Sequence, residues 1–152
     1  MPKRKQIYDA IQGALLASTG INYVTIDVDA APFSWTNDKY PAVRIYDGDG
    51  IITRLAYPGS TSVDDMECNI TFEFEGYVSR LNTETSSTDS IDTKRTTLMA
   101  DIEKSLTQDT TIASLVKDIT AQELGTDRGY SEGIGWTNGI FKVMYHYNHL
   151  NP

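Results

Sequence analysis

The sequence predicts an α+β fold: a single domain over residues 1–152, with a mostly antiparallel sheet, two helices packed on one face and a long projecting β-hairpin. Three patterns carry that expectation. Ile7, Ile11, Ala14 and Leu15 recur at helical spacing. So do Ile91, Leu98, Ile102 and Leu106. Between these stripes, Cys68, Ile70, Phe72, Phe74 and Val78 fall on one side of a period-two alternation. A chain of 152 residues buries roughly two-thirds of its unfolded surface, which suffices for one core.

The first helix is expected from about Lys5 to Ala17, with Gly20 as its stop signal and the basic run Lys3-Arg4-Lys5 as a solubilising tail. The β-branched run Tyr23 to Val28 reads as a strand. Pro32, Asn37, Asp38 and Pro41 then mark a loop, whose Phe33 and Trp35 either fold back onto the core or anchor an interface. Ala42–Asp47 and Ile51–Leu55 read as paired strands around an Asp47-Gly48-Asp49-Gly50 turn. The longest strand runs from about Met66 to Leu81, with Glu67, Asn69, Thr71, Glu73, Glu75 and Tyr77 on its second face. The Ser/Thr-rich segment Asn82 to Ser90 reads as surface loop, and Asp89 or Ser90 can cap the second helix, Ile91 to Leu106. A short helical turn over Thr110–Leu115, a strand Val116–Leu124, a glycine-rich loop Gly125–Gly135 and a last strand Gly139–Tyr147 complete the chain.

Composition narrows the function. The formal net charge is −8, which opposes binding to phosphate backbones. The single cysteine, Cys68, makes no intrachain disulfide and reads as a small core residue. Nothing resembles a secretory signal or a membrane span, so the expectation is a soluble protein made in a reducing cytosol. There is no P-loop and no dinucleotide fingerprint. Asp47-Gly48-Asp49-Gly50 lacks the remaining acidic ligands of a calcium loop. His146 and His149 suggest no catalytic order. Glu73 and Glu75 stand where paired catalytic carboxylates could, although a solvated or subunit-facing acidic stripe is the commoner meaning. The sequence therefore predicts no catalytic residue, no cofactor and no metal.

The arrangement resembles tail terminator and tail-completion proteins of tailed bacteriophages. The likeness rests on the amphipathic first helix and the Pro-flanked loop ending in Tyr40-Pro41-Ala42-Val43-Arg44-Ile45-Tyr46. It rests also on the long strand Asn69-Ile70-Thr71-Phe72-Glu73-Phe74-Glu75-Gly76-Tyr77-Val78 and the closing run Ile140 to Tyr147. It covers nearly the whole chain and carries no signature motif. It implies a non-enzymatic virion protein, assembled in the host cytoplasm and located at the head-proximal end of the tail. Its partners would be itself, as a ring of usually six copies, the major tail tube protein and a neck or head-completion protein. DNA would pass through the bore without specific binding.

Such proteins share no fixed contact residues, so the assignments rest on side-chain chemistry. Trp35, Tyr40, Thr85, Ser87, Asp127, Arg128, Tyr130 and Trp136 are the candidates for subunit, tube or neck contacts. Glu67, Glu73 and Glu75 are the candidates for an acidic bore or wall. Three other functions fit less well: a neck or other minor tail protein, a small hydrolase using Glu73 or Glu75, and a module that binds peptides by strand addition.

Overall fold

The structure, a computed structural model, describes residues 2–26, 31–55, 66–80, 90–125, 130–131 and 133–148, with 130–131 described by their backbone alone. Helix α1 spans Lys3–Ala17 and buries Ile7, Ile11, Ala14 and Leu15, the expected stripe. It begins two residues earlier than the sequence suggests, so the basic run is its first turn and not a tail. Positive charge is unfavourable at a helix N-terminus, and these side chains reach elsewhere. Lys3 Nζ donates to the His146 carbonyl at 2.6 Å, Arg4 Nη2 to Asp47 Oδ1 at 2.5 Å and to the Gly48 carbonyl at 2.7 Å. Lys5 pairs with Asp9 one turn on. The helix stops at Ala17, with the Ser18 N–H donating to the Leu15 carbonyl. Gly20 serves close packing: a Cβ there would lie 2.0 Å from Asp101 Oδ2.

Six strands are formed by the described residues: β1 Tyr23–Thr25, β2 Ala42–Arg54, β3 Met66–Ser79, β4 Asp118–Gly125, β5 Tyr130–Ser131 and β6 Ile134–Tyr147. Their order is β1-β2-β3-β6-β4, and β5 pairs with the start of β6. Only the β1–β2 pair is parallel. The fold class is as expected.

β1 ends at Thr25, short of the expected Val28, and β4 starts at Asp118 and not at Val116; two further differences are larger. Residues 42–54 form one strand, not a hairpin. Asp47 pairs with Phe72 and Gly50 with Ile70, so Gly48 and Asp49 are absorbed as a bulge. Glycine suits the bulge because a Cβ on Gly48 would sit 2.4 Å from the Thr71 carbonyl oxygen. The long hairpin is therefore β2–β3, and its connection, including Pro58-Gly59, lies outside the described residues. The last strand starts at Ile134, because Gly135 and Gly139 are strand residues that make room for Ile91 and Phe74.

Helices α1, α2 (Ile91–Gln108) and α3 (Thr110–Leu115) share one face of the sheet. Ser90 caps α2 by accepting the Thr93 N–H, and Asp109 caps α3 by accepting the Ile112 N–H at 2.8 Å. The core joins Ile7, Ile11 and Leu15 to Leu98, Ile102 and Leu106, over Ile70, Phe72, Phe74, Phe141 and Val143. Cys68 is buried in that layer, as its alternation predicts. The α2 stripe also buries Met99 and the guanidinium-bearing Arg95, which pairs with Asp92.

Two glycines test this packing in opposite directions. Gly13 lies inside α1, and a Cβ added there would meet nothing within 4 Å, whereas a Cβ on Gly139 would meet the Phe74 ring at 2.5 Å. Gly13→Ala is expected to stabilise the protein by about 0.5–1 kcal/mol. Gly139→Ala is expected to destabilise it by about 1–3 kcal/mol. Urea unfolding followed by circular dichroism measures both.

Candidate functional site

The face of the sheet opposite the helices has no α-helix over it among the described residues, and only the short 3-10 turns Pro32–Ser34 and Asn37–Lys39 lie against one end of it. Because directly paired residues project to the same side, the register defines what this face presents. Thr53, Glu67 and His146 form one row. Ile51, Asn69, Met144 and Asp118 form the next. Further along come Tyr46, Glu73, Ile140 and Glu123, then Arg44, Glu75, Asn138 and Gly125. The row Ala42, Tyr77 and Trp136 closes the series.

That last row belongs to an aromatic cluster. Tyr40 and Tyr77 are its buried centre, with Trp35, Tyr23 and Trp136 packed against them. The Trp35 ring meets Tyr23 at 5.2 Å and Tyr77 at 5.8 Å, and Phe33 meets Trp136 at 5.6 Å, edge to face in each case. The Tyr40 hydroxyl donates to the Pro32 carbonyl, and Lys39 lies over the Tyr23 ring. Tyr40 is thus corrected from interface candidate to core residue: it is 1% exposed. Its neighbours made it look like a loop aromatic, but it seals the 32–40 segment onto the sheet. Trp35 and Trp136 are half-buried and keep solvent-facing edges, so they remain available for contacts. Thr85, Ser87, Asp127 and Arg128 lie outside the described residues, as does the side chain of Tyr130, whose backbone lies in β5.

The three candidate wall carboxylates differ in kind. Glu67 accepts from Asn69 Nδ2 at 3.0 Å and lies 3.3 Å from His146 Nε2. Glu73 is exposed. Glu75 is a brace: its Oε2 accepts from Arg44 Nη2 at 2.6 Å, from the Tyr46 hydroxyl at 2.9 Å and from the Tyr77 hydroxyl at 2.5 Å. Burial pushes the Glu75 carboxyl upward, but the hydrogen bonds from Tyr77, Arg44 and Tyr46 outweigh it and hold the group below the usual carboxylate range. Burial, reinforced by Glu75, pushes the Tyr46 phenol up to about 12 and the Tyr77 phenol up as well. Of the three acids expected to form a bore or wall, Glu75, and Glu67 in part, are thus engaged by side chains of the same sheet.

A depression of about 570 Å³ opens on this side of the sheet, lined among others by Tyr46, Glu73, Glu75, Glu123, Asn138 and Ile140. Glu73 and Glu75 do reach it together. A charge held by an arginine and two phenols is a poor proton donor, because its acid form loses those bonds. Among the described residues no three His, Cys, Asp or Glu side chains are grouped to hold a metal ion. No helix formed by the described residues is long and apolar enough to cross a membrane.

Sequence reasoning passed over Arg44, Tyr46, Glu123, Lys142 and Asp118 as parts of this face. The alternation of Arg44 and Tyr46 with buried Val43 and Ile45 was a usable signal. That Glu123 shares a row with Glu73 depends on strand order and on a bulge between Ala121 and Glu123, which no local pattern encodes.

The Glu75 brace sets a pH dependence. A carboxyl whose folded pKa lies below its unfolded value of about 4.3 contributes stability that is complete above that pH and lost as pH falls through the folded value. Glu75→Gln is expected to unfold more easily than the parent protein at pH 7, and the difference is expected to shrink below about pH 4. Denaturant midpoints measured across pH 3–7 check this. Compared with protein-family models and with curated proteins, the sequence matches none of them.

Proposed function

We propose that the chain is a structural subunit of a bacteriophage tail: a tail terminator that closes into a ring, caps the tail tube and docks the neck of the head. The observation that carries this reading is the Glu75 brace on the sheet face that has no α-helix over it among the described residues. Glu75, the most heavily hydrogen-bonded of the three candidate carboxylates, is committed to holding β2 against β3, and Glu73 stands exposed beside it. Side chains arranged in this way build a surface; they do not build a proton-transfer site.

The charge on the face also supports the reading. Glu67, Glu73, Glu75, Glu123 and Asp118 outnumber Arg44 and Lys142 there. Turned toward a bore, such a surface repels phosphate and lets DNA slide. Trp35, Trp136 and Phe33 give the same side an aromatic rim of the type that anchors protein contacts. A neck subunit would use the same features, and the end of the tail tube that binds the protein separates the two. The carboxylate-lined depression is what a hydrolase reading would rest on, and full infectivity of a Glu73→Gln variant removes it.

Two measurements test the proposal. Negative-stain images and native mass spectra of the purified chain, alone and with tail tubes, are expected to show closed rings. Deleting the gene from its phage is expected to yield overlong tail tubes without heads. A monomer under every condition, or normal tails after deletion, overturns it.

A further inference from the structure

We propose that neighbouring copies join edge to edge: β4 of one copy pairs antiparallel with the free stretch of β2, Ile45–Ile51, of the next. This rests on the ring reading above and adds which edges meet, in which direction and in which register.

Both edges lack a neighbouring strand among the described residues. β1 covers β2 only from Ala42 to Arg44, which leaves Ile45–Arg54 without a strand neighbour on its outer side, with the Gly48 carbonyl accepting from Arg4 Nη2. β4 is the last strand at the other end of the sheet. Unpaired backbone donors and acceptors beside exposed apolar side chains are an association hazard unless a partner covers them. Here Ile51 is 72% exposed, Ile52 57% and Leu124 40%.

The register shows why these two edges fit each other. Asp118, Met144, Asn69 and Ile51 lie on one row, and Leu124, Gly139, Phe74 and Ile45 on another. β4 therefore spans the same levels of the sheet as the free stretch of β2. It also runs opposite to β2, since β2–β3, β3–β6 and β6–β4 are each antiparallel. Rotation about an axis along the strands, the operation that closes a ring, keeps every strand's direction and brings β4 antiparallel to the neighbour's β2. The bulges in β2 and in β4 flank one row, Asp47, Phe72, Phe141 and Ala121, on its two sides. At that register Leu124 falls beside the neighbour's Ile45, and Glu123 lies diagonal to its Arg44. Thr25 of β1 occupies the row level with Gly125, so β1 stops β4 from sliding further.

Cysteine pairs test the contact in the full chain. Ile51→Cys with Asp118→Cys reports the proposed register, and Thr53→Cys with Asp118→Cys reports a slip by one same-face position. Cys68 is 2% exposed and stays in place in both. Oxidation is expected to give a ladder of covalent oligomers, reversed by reductant, from the first double variant and from neither single variant; a ladder from the second double variant alone would overturn the register. Amide exchange in the unmodified protein is an independent readout, expected to slow about tenfold or more over 45–51 and 118–124 on assembly. Covalent dimers from Ile51→Cys alone would mean that two β2 edges meet across a two-fold axis, and would overturn the pairing. So would intact rings with no cross-link and no slowed exchange, an outcome that leaves the ring reading standing. A persistent monomer fails the ring reading, and this contact with it.

Discussion

The β3–β6 ladder is the constraint on which the rest of the molecule depends. It runs without a break from Met66 opposite Tyr147 to Ser79 opposite Ile134. A one-residue slip would exchange Phe72, Phe74, Phe141 and Val143 for Glu73, Glu75, Ile140 and Lys142 beneath the helices. The glycines within the ladder sharpen this choice. Gly76 and Gly139 face the helices and leave room for Leu98 and Phe74, so large side chains interlock there with absent ones. Once this pair is in register, β2 and β4 can add only on its two flanks, and the helices only on its apolar side.

The uncovered side follows from the same alternation. A face that carries glutamates and asparagine along β3 cannot join the core, yet it is not simply solvated. Arg44, Tyr46 and Tyr77 converge on one oxygen of Glu75, and His146 and Asn69 on Glu67. These contacts cross-brace neighbouring strands on the side that has no helices to hold them together. The aromatic cluster around Tyr40 does the same at one end, where the 32–40 segment lies against the sheet.

Much of the fold was legible because the apolar stripes of α1, α2 and β3 are long and regular. Ile7, Ile11 and Leu15, and Leu98, Ile102 and Leu106, are buried at the spacing that suggests it. Legibility failed where one residue type serves two purposes. Asp47-Gly48-Asp49-Gly50 has the chemistry of a turn and equally that of a bulge, and the partner strand decides between them. Gly135 looks like a loop residue until Ile91 is known to need its space. For the candidate surface, the strand face of Glu67, Glu73 and Glu75 could be read, but their partners could not. Arg44 and Glu75 are 31 residues apart, and only strand order makes them neighbours.

The bulges in β2 and β4 have a mechanical consequence. Each adds local twist, the one in β2 between the rows of Phe72 and Ile70 and the one in β4 between the rows of Phe141 and Ile140. Twist fixed at these two levels biases the plate toward one curvature. In the proposed side-by-side assembly, that curvature would act as a gauge of circumference: adding or removing one member would require every plate to flex. The number of members would then be a property of the individual chain, set before any two copies meet.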